Sequence, residues 1–146
     1  MSDERTPLTK LVNRIYRYTQ AYTNEVLEKY RLGSGTYPFL LSLWVQEGVN
    51  QNQISKELNI DKAMSARAIK RLIELGYIKK VDDRKDSRAF NLYLTEKARA
   101  VVPAVKDELR VWNEMITEGL DEDGKEQVID LLGRILENAK AYKNRL

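Results

Sequence analysis

The spacing of apolar residues changes character between residues 50 and 95, and this constrains the fold more tightly than any other feature of the chain. Up to Leu75 apolar side chains recur every three or four positions, the helical period. From Tyr77 to Leu94 they alternate, as on a half-buried strand, and after Thr95 the helical period returns. The helical segments ahead of the change are short and end in strong stop signals. Asn50 with Gln53 three residues on forms a capping box, and Ile54 and Leu58 give that helix its buried face. Asn59 and Ile60 turn the chain, asparagine tolerating the positive φ that such a turn needs. Asp61 caps the next helix, which buries Ala68, Ile69, Leu72 and Leu75 and ends at Gly76. Residues 77–81 then read as a strand, 82–87 as a polar hairpin tip and 88–94 as the returning strand.

Longer helices flank this block. Residues 7–30 place Leu8, Leu11, Val12, Ile15, Tyr18, Tyr22, Val26 and Tyr30 at helical spacing, and residues 32–35 break the pattern. Thr36 is expected to cap a helix to about Gln46, with Pro38 in its first turn and Phe39, Leu40, Leu43 and Trp44 on its core face. Thr95 is expected to cap a helix running towards Gly119 and bent near Pro103. Asp121 opens the last helix, whose stripe is Val128, Leu131, Leu132, Ile135 and Leu136. The fold class is therefore mainly α with a small β-ribbon wing: a winged helix-turn-helix core with N- and C-terminal dimerisation helices. Residues 1–146 read as one domain, with 36–95 the winged lobe and 6–32 and 96–146 the dimerisation helices.

Composition removes whole classes of chemistry. The 146 residues contain no cysteine and no histidine, so thiol chemistry, imidazole acid–base catalysis and the usual zinc or haem ligands are absent. No nucleophile–base pair can be assembled, and neither an enzyme, a metal nor a cofactor is expected. No apolar run approaches the roughly 18 residues of a membrane span, and the first eight residues lack the order of a secretory signal, so a cytoplasmic protein is expected. The net charge of +3 says little, but its distribution says more. Residues 56–88 hold ten bases against six acids, whereas residues 107–137 hold ten acids against three bases.

Each part of the central block suits one element of DNA recognition. The second helix of a helix-turn-helix enters the major groove, and Lys62, Ala63, Met64, Ala66, Arg67, Lys70 and Arg71 would line it. Arg67 can fork onto a guanine, and the alanines and Met64 can meet thymine methyls. Arg84, Lys85 and Arg88 arm the wing tip for a minor groove, and Asp86 is placed to hold the Arg88 guanidinium. The partners expected are double-stranded DNA and a second copy of the chain. The terminal stripes, Leu8, Leu11, Val12 and Ile15 with Leu131, Leu132, Ile135 and Leu136, are too apolar for the ends of a small monomer. Arg14, Arg17, Tyr18, Tyr22, Tyr37 and Trp44 either line a pocket for a small aromatic or amphipathic effector or serve as core, interface and solvated surface. A winged helix used as a protein-interaction module, without sequence-specific DNA binding, is the alternative.

In these residues the chain resembles the MarR family of winged-helix regulators. The resemblance is densest from Asn50 to Lys97, through Ile54 to Leu58, Asp61 to Arg67, Arg71-Leu72, Gly76-Tyr77-Ile78, Asp86-Ser87-Arg88 and Tyr93 to Lys97. It implies that Arg67 is the recognition-helix arginine, that Asp86 and Arg88 are the wing-tip pair, and that a dimer forms through the first and last helices around a ligand-responsive cleft. The chain departs from the family at Ser65, where an apolar residue is usual, at Ala66, where a hydroxyl often meets DNA, and at Ala98, where glycine is common.

Overall fold

A computed structural model describes residues 7–86 and 89–144. They group into two compact units, one reaching to Arg110 and one from Val111 onward. The first opens with α1 (Leu8–Val26), followed by a 3-10 turn (Glu28–Tyr30) and α2 (Tyr37–Val45). The helix-turn-helix is α3 (Gln51–Leu58) and α4 (Lys62–Glu74), and the wing is β1 (Ile78–Asp82) paired antiparallel with β2 (Phe90–Leu94), Ile78 opposite Leu94 and Asp82 opposite Phe90. The next helix, α5 (Glu96–Ile116), begins in this unit. The second unit holds the end of α5 and α6 (Glu122–Lys143). Among the described residues no helix is long and apolar enough to cross a membrane.

Most of the local signals act as read. Asn50 and Gln53 make both bonds of the capping box. Asn59 adopts φ 53° between α3 and α4, and the Asp61 carboxylate accepts from the N–H groups of Ala63 and Met64. Thr95 Oγ1 accepts from Ala98 N–H, and Asp121 accepts from Gly124 N–H. Gly76, at φ 83°, ends α4 in a paired closure: its N–H reaches Ile73 O, and Tyr77 N–H reaches Leu72 O. This closure takes Tyr77 out of the strand predicted to begin with it. Its ring is buried instead, and its hydroxyl donates to Tyr30 O at 2.7 Å, joining the base of the wing to the 3-10 turn.

Three further expectations are corrected. Thr36 does not cap α2: its hydroxyl exchanges bonds with the Gly33 backbone, because a turn closed by Thr36 N–H and Tyr37 N–H on Gly33 O points the side chain backwards. Trp44 is not core; it is 40% exposed with the Lys106 ammonium 5.7 Å from its ring, and Ser42, bonded to Glu57 of α3, takes the buried place. Regular helix in α1 stops at Val26 rather than Tyr30, since buried Leu27 and Leu32 are drawn together by a Leu32 N–H to Leu27 O bond across Arg31 at φ 60°. Pro103 lies inside α5, which continues unbroken through it.

The core of the first unit joins Leu27, Phe39, Leu40, Leu43, Ile54, Leu72, Leu94, Val102 and Val105, each almost fully buried. Within this apolar setting the Ser65 hydroxyl is buried and has no hydrogen-bond partner among the described residues. An orphaned hydroxyl costs about 1–3 kcal/mol, and alanine also favours helix. Ser65→Ala is therefore expected to stabilise the protein by about 1 kcal/mol, raising the thermal midpoint by about 3 °C. A lowered midpoint in a calorimetric scan would show that the hydroxyl is bonded after all.

Candidate nucleic-acid interface

The burial of α4 divides cleanly. Ser65, Ala68, Ile69, Leu72 and Leu75 face the core, spanning about 120° of the helix circumference at 100° per residue. Lys62, Ala63, Met64, Ala66, Arg67, Lys70 and Arg71 occupy the opposite arc, and all are exposed. The first acid on that face is Glu74, at the far end. Because Asp61 satisfies the first free N–H groups, the helix start is held in place, and Gln51 Nε2 donates to Lys62 O to tie α3 to it. The result is an exposed ridge with cations at Lys62, Arg67, Lys70 and Arg71 and small side chains between them, a pattern that lets a helix approach a groove floor closely.

At the wing tip, Arg84, Lys85 and Asp86 are exposed. Arg88 and Ser87 lie outside the described residues, so the expected grip of Asp86 on Arg88 does too. Asp83, which the sequence reading passed over, organises the tip: its carboxylate accepts Lys85 N–H at 2.9 Å, while its own N–H reaches Ala89 O. The signal was available in an aspartate two residues ahead of a turn N–H. Between the wing and α3 lies a recess of about 620 Å³, walled by Asn50, Gln51, Asn52, Lys80 and Asp86 and floored by Ile69, Phe90 and Leu92. The Lys80 ammonium stands 4.8 Å from the Phe90 ring, adding a cation between helix and tip that was not singled out from sequence.

Helix, left-handed asparagine turn, cationic helix and charged ribbon thus belong to one compact unit. Over residues 21–105 the chain matches the SarA/Rot transcriptional regulators. It belongs to that family. Its fold is that of the MarR regulators: a MarR transcriptional regulator from Methanosarcina mazei Go1 superposes with a TM-score of 0.89 at 34% identity, covering 92% of this chain and 97% of that one. The transcriptional regulator SlyA superposes with a TM-score of 0.87 at 29% identity, covering 92% and 94%. In sequence, the HTH-type transcriptional regulator BilQ of Clostridioides difficile (strain CD3) is 32% identical over 125 residues, which is 85% of this chain and 84% of that protein. The chain is a winged-helix transcriptional regulator.

In this SarA/Rot-type regulator the residues read as an effector set come from α1 and α2. Arg14, Arg17 and Tyr18 are exposed on α1, Tyr18 at 64%. Tyr22 places its hydroxyl 3.5 Å from the Glu108 carboxylate, which also holds Lys29, and desolvation followed by that carboxylate pushes its phenol above the ordinary value. Burial, with Tyr16 nearby, does the same to Tyr37. Tyr22 and Trp44 meet α5 at Glu108 and Lys106, two positions apart and so about 160° apart around the helix. Leu8, Leu11, Val12 and Ile15 on α1 and Leu131, Leu132, Ile135 and Leu136 on α6 are each between 38% and 56% exposed in the single chain.

Proposed function

We propose that this regulator works as a homodimer that seats two copies of α4 in successive major grooves of a pseudo-palindromic operator, about 34 Å apart, with the wings in flanking minor grooves. The observation that carries the proposal is the exposed face of α4, cationic and apolar with no acid before Glu74. Lys62, Ala63, Met64, Ala66, Arg67, Lys70 and Arg71 are its groove contacts, Arg84, Lys85 and Arg88 its wing contacts, and Asp86 the residue that orients Arg88. Residues 36–95 serve as the DNA-binding lobe of one domain, and 6–32 with 96–146 as its dimerisation helices. The exposed apolar positions of α1 and α6 favour this division, since such stripes call for a partner. The protein acts in the cytoplasm, without catalysis, and represses by occupying a promoter. An aromatic or amphipathic acid received by the Arg14, Arg17, Tyr18, Tyr22, Tyr37 and Trp44 set shifts the population between binding-competent and incompetent forms.

The test is duplex affinity measured against salt. Several phosphate contacts give a fall in log K with log salt of about 0.9 per contact, and a sequence-selected duplex should exceed a scrambled one. A flat salt response would instead identify a protein-interaction module. Repeating the titration with aromatic carboxylates tests the effector: no change in affinity with any of them would remove ligand control from the proposal.

A further inference from the structure

A two-stranded ribbon is marginal by itself, so the anchoring of this wing decides where its tip points. On the side of β1 the base is held by Thr95 Oγ1 donating to Gly76 O and by Lys97 Nζ donating to Leu75 O, both at 2.6 Å. The outer edge of β2 presents N–H groups with no neighbouring strand among the described residues. Residues 47–49, between α2 and α3, cover that edge in place of one. Leu92 N–H donates to Val49 O at 2.8 Å, and Gly48 N–H donates back to Leu92 O at 2.9 Å, Gly48 at φ 79° turning the segment onto the strand. Leu94 N–H, one step further, has no backbone acceptor there. It donates to Glu47 Oε1 at 2.8 Å. Arg99, from the first turn of α5, grips the same carboxylate with Nη2 at 3.0 Å from Oε1 and 3.3 Å from Oε2.

We propose that Glu47 is a positioning residue for the wing, its carboxylate locking the β2 edge to the start of α5 through Arg99. An ion pair as exposed as this adds little alone. The charge-assisted bond to Leu94 N–H is different, because it completes the strand edge and the carboxylate is held at the same time by Arg99. Leverage makes it matter: a ribbon of five-residue strands is about 17 Å long, so a 10° pivot at the base moves the tip by about 3 Å. That displacement breaks a phosphate contact while leaving α4 untouched. The consequence for DNA rests on the wing contacts proposed above, whereas the lock itself is a property of the free protein.

The experiment uses the full chain in two arms. In the free protein, Glu47→Ala is expected to speed amide exchange at Leu92 and Leu94 by about tenfold with no change at Leu72 in α4. Arg99→Ala should give a smaller increase and add nothing in the Glu47→Ala background. On a bound duplex, Glu47→Ala should weaken affinity by about tenfold and lose hydroxyl-radical protection under the wing, while protection under α4 persists. Unchanged exchange at Leu94, or an increase spread equally over α4 and the wing, overturns the lock. Faster hairpin exchange with an unaltered footprint overturns the positioning role. If the parent binds no duplex, the DNA-binding reading fails by itself and the exchange arm still decides whether the lock exists.

Discussion

Leu132→Glu is expected to convert the proposed homodimer to a monomer and to lower its operator affinity by at least a hundredfold. Leu132 is 47% exposed in the single chain and lies in the α6 stripe with Val128, Leu131, Ile135 and Leu136. Covering a leucine contributes about 1.5–3 kcal/mol, and in a two-fold interface each substitution counts twice. Glutamate also carries a charge into the contact, which costs several kcal/mol more unless it finds a partner. Together these exceed what most small dimers can lose. Operator affinity falls with them because linking two half-site contacts raises avidity by about 10²–10⁴, and a monomer forfeits that gain. Sedimentation equilibrium on the variant checks the first step and fluorescence anisotropy on a full operator the second. A variant that remains a dimer would remove α6 from the interface.

Arg67→Ala is expected to weaken binding to the preferred operator by about five- to a hundredfold and to relax preference at one base position. The reasoning is geometric. Arg67 is exposed near the N-terminal half of α4, on the arc it shares with Ala63 and Lys70. A guanidinium there can make the bidentate contact to guanine worth about 1–3 kcal/mol of discrimination. Lys85→Ala is the control, because a tip lysine meeting phosphate should weaken all sequences alike and reduce the salt slope by about one. Selection of duplexes from a random pool separates the two outcomes. An Arg67→Ala protein that selects the same sequences as its parent would mean that the base-reading contact lies elsewhere on α4.

Both predictions draw on residues whose placement was legible before any coordinates. The helical arc of α4 follows from spacing alone, and Asp61 caps it through N–H groups two and three residues away. Asn50, Asn59 and Asp121 act over the same short range. Ser65 was legible as a departure from its family, though only the packing around it reveals that its hydroxyl lacks a partner among the described residues. Thr36 misled because two acceptors were within reach, the helix start and the Gly33 turn, and the closure of that turn decided between them. Trp44 misled because helical spacing marks a face without saying how far the neighbouring elements extend over it.

What the sequence determined, then, was most of what interactions within about four residues govern, namely the helical periods, the caps at Asn50, Asp61 and Asp121, the asparagine turn and the exposed cations of α4, together with the alternation that marks the two-stranded wing. What only the tertiary structure decided was how the wing is held. Glu47 and Leu94 are 47 residues apart and Glu47 and Arg99 are 52 apart. No local pattern marks a carboxylate as the acceptor for a distant strand edge. The pairing exists because the core brings the connection between α2 and α3 against β2, and an unpaired N–H at that edge takes the acceptor that packing supplies.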